Sequence, residues 1–356
     1  MNYIGSKLSL LEFIDECIFD ILHKYDNNKN NLKFVDLFSG TGVVSHHFLK
    51  KGFNIVSNDK QYYSYILSKG LLSNKDDLDY TKLKKEIHKD NINEQDVYEY
   101  LNNIDKKKGF IYNNYSLSGT NNSEFKRIYF SDDNSQKCDA IRLKIEEWKN
   151  KKLINENLYY YLLASLINSI DMYANTASVY GAFLKKLKKS AQKNFQIRPY
   201  NKSNNIVGNV KVFNEDSNLL IKKISGDILY LDPPYNNRQY CDNYHLLETI
   251  AKYDSPKIKG KTGIREDNIN MKSKYCYKKY ASLVMEELIQ NANFKYIFLS
   301  YNNEGIIPLK EIERIFSNKG KYIQFKKEYK RFKSNDNCKQ EKKSTIEYLH
   351  CAVVNK

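Results

Sequence analysis

Two short stretches of this chain hold residue types whose spacing suits chemistry on a planar amine. The sharper is Asp232-Pro233-Pro234-Tyr235. Consecutive prolines stiffen the backbone and remove two donors. The Asp232 carboxylate and the Pro233 carbonyl are left as acceptors in a fixed geometry, beside the flat ring of Tyr235. The exocyclic amine of adenine is a poor nucleophile, because its lone pair is spread into the ring. Two acceptors gripping its N–H bonds would localise that pair. This is preorganised electrostatics plus alignment with an electrophile, and a sulfonium methyl is reactive enough to need no metal. A base inside a duplex must first be flipped out and stacked, here on Tyr235, with stacking worth ~1–3 kcal/mol. The bland alternative is a proline-rich turn after a strand, and the glycine loop upstream weighs against it.

That loop is the second stretch, Asp36-Leu37-Phe38-Ser39-Gly40-Thr41-Gly42, between a strand and a helix. Glycines there let a ligand approach the backbone, and a helix N-terminus favours negative charge. A dinucleotide fingerprint would want a third glycine where Ser45 stands. Asp59 ends the next strand-like run, where a carboxylate can accept from ribose hydroxyls. The set suits an adenosyl cofactor, either a dinucleotide or S-adenosylmethionine; the plain alternative is a tight turn. Gly260-Lys261-Thr262 is not a P-loop, because Ser255 occupies its first glycine position. No proline precedes a cysteine, so a Pro-Cys nucleophile for cytosine C5 is missing. The six cysteines form no CxxC pair, which argues against a zinc site or a disulfide framework and for a reducing cytoplasm. His46, His47 and His245 read as structural.

The elements that must position these residues follow from periodicity. Apolar residues at helical spacing over 8–25 predict an opening helix. Residues 33–38 and 53–58 predict strands around a helix through Phe48, a βαβ opening that implies a parallel sheet. Strands are again expected at 210–213, 227–231 and 295–300, with a closing antiparallel hairpin from 322–329 and 345–354. Between them, 74–205 loses this rhythm. Ile141, Ile145 and Trp148 share one helical face there, and 158–167 is dense in Tyr, Leu and Ile, so the segment reads as a mainly helical insert.

Composition sets the outer bounds. The chain has 356 residues with formal net charge +16, 41% hydrophobic and 28% charged, as in a soluble globular protein of roughly two domains. No apolar run is long enough to span a bilayer, and the N-terminus does not read as a signal peptide. The positive charge is localised. Residues 172–213 hold eight Lys/Arg and no acid, and 252–280 and 318–343 are also strongly basic. Localised charge of this kind points to a polyanion such as nucleic acid, against the alternative of a solvated lysine-rich surface.

In order, Asn2-Tyr3-Ile4-Gly5-Ser6-Lys7, Asp36 to Gly42, Asn58-Asp59 and Asp232 to Tyr235 resemble the motifs of the Dam-like adenine-N6 DNA methyltransferases, in the order of their alpha group. Asn175-Thr176-Ala177-Ser178-Val179-Tyr180-Gly181 and the stretch from Arg238 to Glu248 are similar to members from restriction–modification systems. The resemblance implies an α/β, class I S-adenosylmethionine-dependent (Rossmann-like) methyltransferase core at 1–73 and 206–356, with a target-recognition insert at 74–205. It also implies S-adenosylmethionine as cofactor, double-stranded DNA as substrate, a cognate restriction endonuclease as partner and a cytoplasmic setting. Asp232, Pro233, Pro234 and Tyr235 would be catalytic. Tyr3, Lys7, Asp36, Phe38, Gly40, Gly42, Asp59 and Asp232 would meet the cofactor, Lys7 near its methionine part and Asp36 at its amine. Asp216, or its neighbour Glu215, would reach the cofactor's adenine amine.

Lys185, Lys186, Lys188 and Lys189 are expected to contact phosphate, which positions DNA without reading it. Thr176, Ser178 and Tyr180 stand just before them as candidates to reach bases, and Arg238 as a candidate to hold the flipped nucleotide. The basic loop 330–343 is a further candidate to track DNA. Three rivals remain at this stage: cytosine-N4 methylation by the same amine chemistry, an inactive DNA-binding module, and an RNA substrate.

Overall fold

A computed structural model describes residues 3–26, 31–73, 78–200, 208–330 and 344–354. The chain separates into two compact units. One comprises Gly5–Tyr65, Ile206–Tyr240 and Met271–Lys356; the other comprises Met1–Ile4, Ile66–Asn205 and Cys241–Asn270.

The first unit is built on a sheet of β1 (Lys33–Asp36), β2 (Asn54–Asn58), β3 (Val210–Phe213), β4 (Ser225–Leu231), β5 (Asn293–Asn302), β6 (Lys321–Lys330) and β7 (Ser344–Val353). Their spatial order is β3-β2-β1-β4-β5-β7-β6. The pairs among β1 to β5 are parallel, and β7 runs antiparallel between β5 and β6. This mostly parallel seven-stranded α/β sheet is the class I methyltransferase architecture. The strand order reverses between β1 and β4. In doubly wound sheets ligands bind outside the carboxyl ends of the strands at such a switch point. The glycine loop leaves β1 there, and Asp232-Pro233-Pro234-Tyr235 leaves β4 beside it.

Alternation along the strands sorts the residues between two faces. Val35, Leu37, Leu229, Leu231, Ile297 and Leu299 are fully buried in one core with Met285, Leu288, Ile289, Ile312 and Phe316 from the helices Ala281–Asn291 and Leu309–Ser317. Truncating one such leucine to alanine costs ~2–5 kcal/mol. On the other face Phe34 stacks on Phe48 of the helix Val43–Lys50, with ring centroids 4.2 Å apart, and also stacks on Tyr230. Asp36 and Tyr230 are in register on β1 and β4, so the period of two puts both on the Phe34 face. The closing hairpin expected from sequence is present, with β7 paired to β6 along its whole length. Residues 331–343, most of its basic loop, lie outside the described residues.

The second unit is mainly helical. Its longest helices are Asp132–Asn150 and Glu156–Asp171, capped by the side chains of Ser131 and Asn155. Ile141, Ile145 and Trp148 face inward, as their spacing predicted. Residues 241–270 also belong to this unit, although they follow Asp232-Pro233-Pro234-Tyr235 in sequence. Among the described residues, no helix is long and apolar enough to cross a membrane.

Candidate active site

The turn after β1 depends on its glycines. Gly40 and Gly42 have φ of +52° and +76°, in a region that costs other residues ~1–2 kcal/mol each. Asp59 fixes the turn from β2: one carboxylate oxygen accepts from the Gly40 amide at 2.9 Å, the other from Gln61 at 2.8 Å. Asn58, fully buried, bonds the Leu37 carbonyl and both the carbonyl and amide of Glu215, tying the end of β1 to the segment after β3. Phe38 packs edge-on against Tyr275. Asp216 and Glu215 separate clearly. Asp216 caps the turn at Asn218 and lies 3.4 Å from the Lys60 ammonium, whereas Glu215 pairs outward with Lys223 at 2.6 Å.

Asp36 explains the missing third glycine. The Ser45 hydroxyl donates to its Oδ2 at 2.8 Å. The Asp36 side chain is only 1% exposed, and its Oδ1 has no partner among the described residues. Burial pushes its pKa up to about 7, against the opposing pull of the Ser45 hydrogen bond. A buried acceptor left open in this way is costly unless a donor meets it, and a cationic donor makes the strongest such bond.

Asp232 is held from the chain's N-terminal segment. The Lys7 ammonium donates to its Oδ1 at 2.8 Å and lies 3.5 Å from Oε1 of Glu347 on β7. Burial disfavours the charge on Lys7, but Asp232 and Glu347 outweigh this and raise its pKa well above the usual lysine value. For Asp232, burial raises the pKa to about 6 while Lys7 pulls it down and Glu347 adds to the rise. Its side chain remains 17% exposed, so it borders solvent. Tyr235 packs edge-on against Tyr301, with the Lys7 ammonium 5.6 Å from its ring centre. Its carbonyl accepts from the Ile306 amide. Arg238 is exposed just beyond, its amide held in a turn by Asn236.

The remaining candidates lie in the second unit. Tyr3 is buried and stacked on Tyr244, with centroids 4.7 Å apart. Asn175 holds its segment with bonds to Ile128, Leu184 and the Lys188 amide. Thr176 and Ser178 are more than nine-tenths buried, and the Ser178 hydroxyl has no partner among the described residues. Tyr180 is fully buried: its hydroxyl donates to Asp171, and its carbonyl accepts from Tyr129 and contacts the His245 ring. It packs the interior and does not face solvent. Lys188 is half-buried, its ammonium donating to the Thr176 carbonyl at 2.8 Å. Lys185, Lys186 and Lys189 are exposed. Sequence reasoning missed Glu347 and Ser45; the only local signal for Glu347 was a carboxylate inside an apolar strand.

The model of the D12 class N6 adenine-specific DNA methyltransferases matches residues 3–315. The chain belongs to that family. It is 44% identical over 352 residues to the Type II methyltransferase M.NlaIII of Neisseria lactamica, covering 98% of each chain. It is 42% identical to M.FokI of Planomicrobium okeanokoites, over 98% of this chain and 52% of that protein. It is 35% identical to M.CviAII of Paramecium bursaria Chlorella virus 1, over 94% and 93%. The amine of the D12 class is adenine N6, which decides against cytosine N4. As a D12 adenine-specific DNA methyltransferase, the chain brings a glycine turn and an Asp-Pro-Pro-Tyr loop to neighbouring strand ends.

Proposed function

We propose that this D12 methyltransferase moves the methyl group of S-adenosylmethionine to N6 of an adenine everted from duplex DNA, with Asp232 and Pro233 as the acceptors for the amine. The reading rests on one observation above all: Lys7 engages a single oxygen of Asp232, at the carboxyl end of β4. The other oxygen and the Pro233 carbonyl take the two amine hydrogens. Pro234 keeps the loop rigid, and Tyr235 supplies the stacking surface for the base.

S-adenosylmethionine, when bound, supplies an electrophilic methyl on a positively charged sulfur. The open Oδ1 of buried Asp36 fits its α-ammonium. The glycine turn at Gly40 and Gly42 and the ring of Phe38 line the cofactor, Asp59 serves its ribose and Asp216 its adenine amine. Both acids after β3 have a lysine partner, Asp216 with Lys60 at 3.4 Å and Glu215 with Lys223 at 2.6 Å; Asp216, with the longer contact, is the one assigned. Lys7 acts through Asp232.

The second unit serves target recognition. Lys185, Lys186 and Lys189 are its phosphate contacts, Thr176 and Ser178 the base-proximal pair, and Arg238 holds the flipped strand. The burial of Tyr180 and the bond that turns the Lys188 ammonium onto the Thr176 carbonyl leave them with supporting roles. The motif order, with the insert between glycine loop and catalytic loop, supports placement among the Dam-like alpha group. Relatives named as Type II methyltransferases support a cytoplasmic enzyme acting beside a cognate endonuclease.

The decisive experiment is methylation of duplex DNA followed by nucleoside analysis, for the wild type and Asp232→Ala. N6-methyl-2′-deoxyadenosine is expected as the product. The variant should lose at least ~100-fold in rate, as when a preorganised partner is removed, while keeping its DNA affinity. Unchanged turnover in the variant would overturn the assignment.

A further inference from the structure

Glu347 belongs to none of the motifs, yet it is built into the site. It lies on β7, in register with Asn302 of β5 and Lys327 of β6. Its side chain is 1% exposed. Oε1 accepts from the Ser300 hydroxyl at 2.5 Å and sits 3.5 Å from the Lys7 ammonium; Oε2 has no partner among the described residues. A buried acceptor left open costs ~1–3 kcal/mol, and an apolar side chain would fill a strand position without that cost.

We propose that Glu347 is a positioning residue for methyl transfer, sharing Lys7 with Asp232 so that the catalytic carboxylate is oriented but not neutralised. The inference rests on the assignment of Asp232 as the amine acceptor. A single ammonium placed against a single carboxylate makes a closed ion pair, and such a carboxylate is a weak acceptor. Against two carboxylates, the same ammonium leaves a net negative charge beside the amine. Methyl transfer puts positive charge on N6 until its proton departs, so that residual charge stabilises the transition state more than the ground state.

The other groups around the triad do not supply this charge in its place. Asp36 faces it from β1 and Tyr230 from β4, with Tyr235 from the catalytic loop and Glu304 beyond β5. Lys327, opposite Glu347 on β6, has its ammonium 5.7 Å from the Phe13 ring. Glu347 alone among the acids is within 4 Å of the Lys7 nitrogen together with Asp232, among the described residues.

The test is kcat against pH from 5 to 9, at saturating S-adenosylmethionine and duplex DNA, for the wild type, Glu347→Gln, Glu347→Asp and Asp232→Asn. The Glu347 charge raises the Asp232 pKa, so its removal must lower it. Glu347→Gln is expected to lose about tenfold in kcat and to move the acid limb down by roughly half a unit to one unit. Glu347→Asp keeps the charge but withdraws it from Lys7. A smaller shift in the same direction is expected, and this variant carries the test if the glutamine variant is unstable. An acid limb that stays in place, with or without a slower rate, reduces Glu347 to a structural residue and overturns the proposal. Asp232→Asn separates the two readings: a wild-type profile in that variant would mean that the Asp232 assignment itself has failed.

Discussion

Two buried aspartates, one in each unit, show how differently a fold treats a carboxylate it uses as a pin and one it holds open. Asp139 accepts from the amides of Gly109, Ile111 and Tyr112 and from the Tyr253 hydroxyl, filling both oxygens and fixing the start of the helix Phe110–Tyr115. Asp36 accepts from one hydroxyl and leaves an oxygen open. Burial raises the pKa of both, so a shifted pKa does not separate pin from site. For these two, the hydrogen-bond inventory does. Among the described residues both units hold open buried polar atoms, Asp36 Oδ1 and Glu347 Oε2 in the sheet unit and Trp148 Nε1 and Ser178 Oγ in the helical one.

Substituting each aspartate sharpens the comparison. Asp36→Asn should weaken S-adenosylmethionine binding by about 10–100-fold, the range for a hydrogen bond to a charged group. It should also stabilise the ligand-free protein at pH 8. The Asp36 pKa, about 7 against an ordinary 3.8, makes protonation stabilising. That contribution is complete below pH ~4 and lost as the pH rises through ~7, so the gain over wild type should be full at pH 8, shrink as the pH falls below ~7 and vanish only near pH ~4. Thermal melts across that range check it. Asp139→Asn should act the other way, turning an amide toward backbone donors and costing about 3 kcal/mol in urea unfolding. The pH dependence of cofactor binding should be unchanged in that variant.

Smaller effects are expected on the DNA side. Lys185→Ala, Lys186→Ala and Lys189→Ala should each reduce the salt slope of DNA binding by ~1. Tyr180→Phe, which loses the bond to Asp171, should cost about 1 kcal/mol of stability and leave the methylated sequence unchanged. An altered target sequence in that variant would return Tyr180 to the reading surface.

What was legible in the sequence was local. The glycine turn, the Asp-Pro-Pro-Tyr loop and the strands carry their signals within a few residues, and the parallel order followed from the βαβ opening. The Lys7–Asp232–Glu347 triad was not legible, because it joins residues hundreds of positions apart through β4, β5 and β7. Ser45 occupied a position marked only by the glycine it lacked, and its bond to Asp36 gives it a purpose. Tyr180 and Lys188 fall in an aperiodic segment, where no pattern tells an inward side chain from an outward one. The membership of 241–270 in the helical unit was hidden for a similar reason: no local pattern marks where the chain returns to that unit after the Asp-Pro-Pro-Tyr loop.

The most direct measurement is a calorimetric titration of S-adenosylmethionine into wild type and Asp36→Asn between pH 5.5 and 8. Wild-type affinity should climb as the pH rises through about 7, because the open carboxylate must ionise to meet the ammonium, whereas Asp36→Asn should be weak and flat. An Asp36→Asn variant that follows the wild-type curve would contradict the assignment of that oxygen to the cofactor.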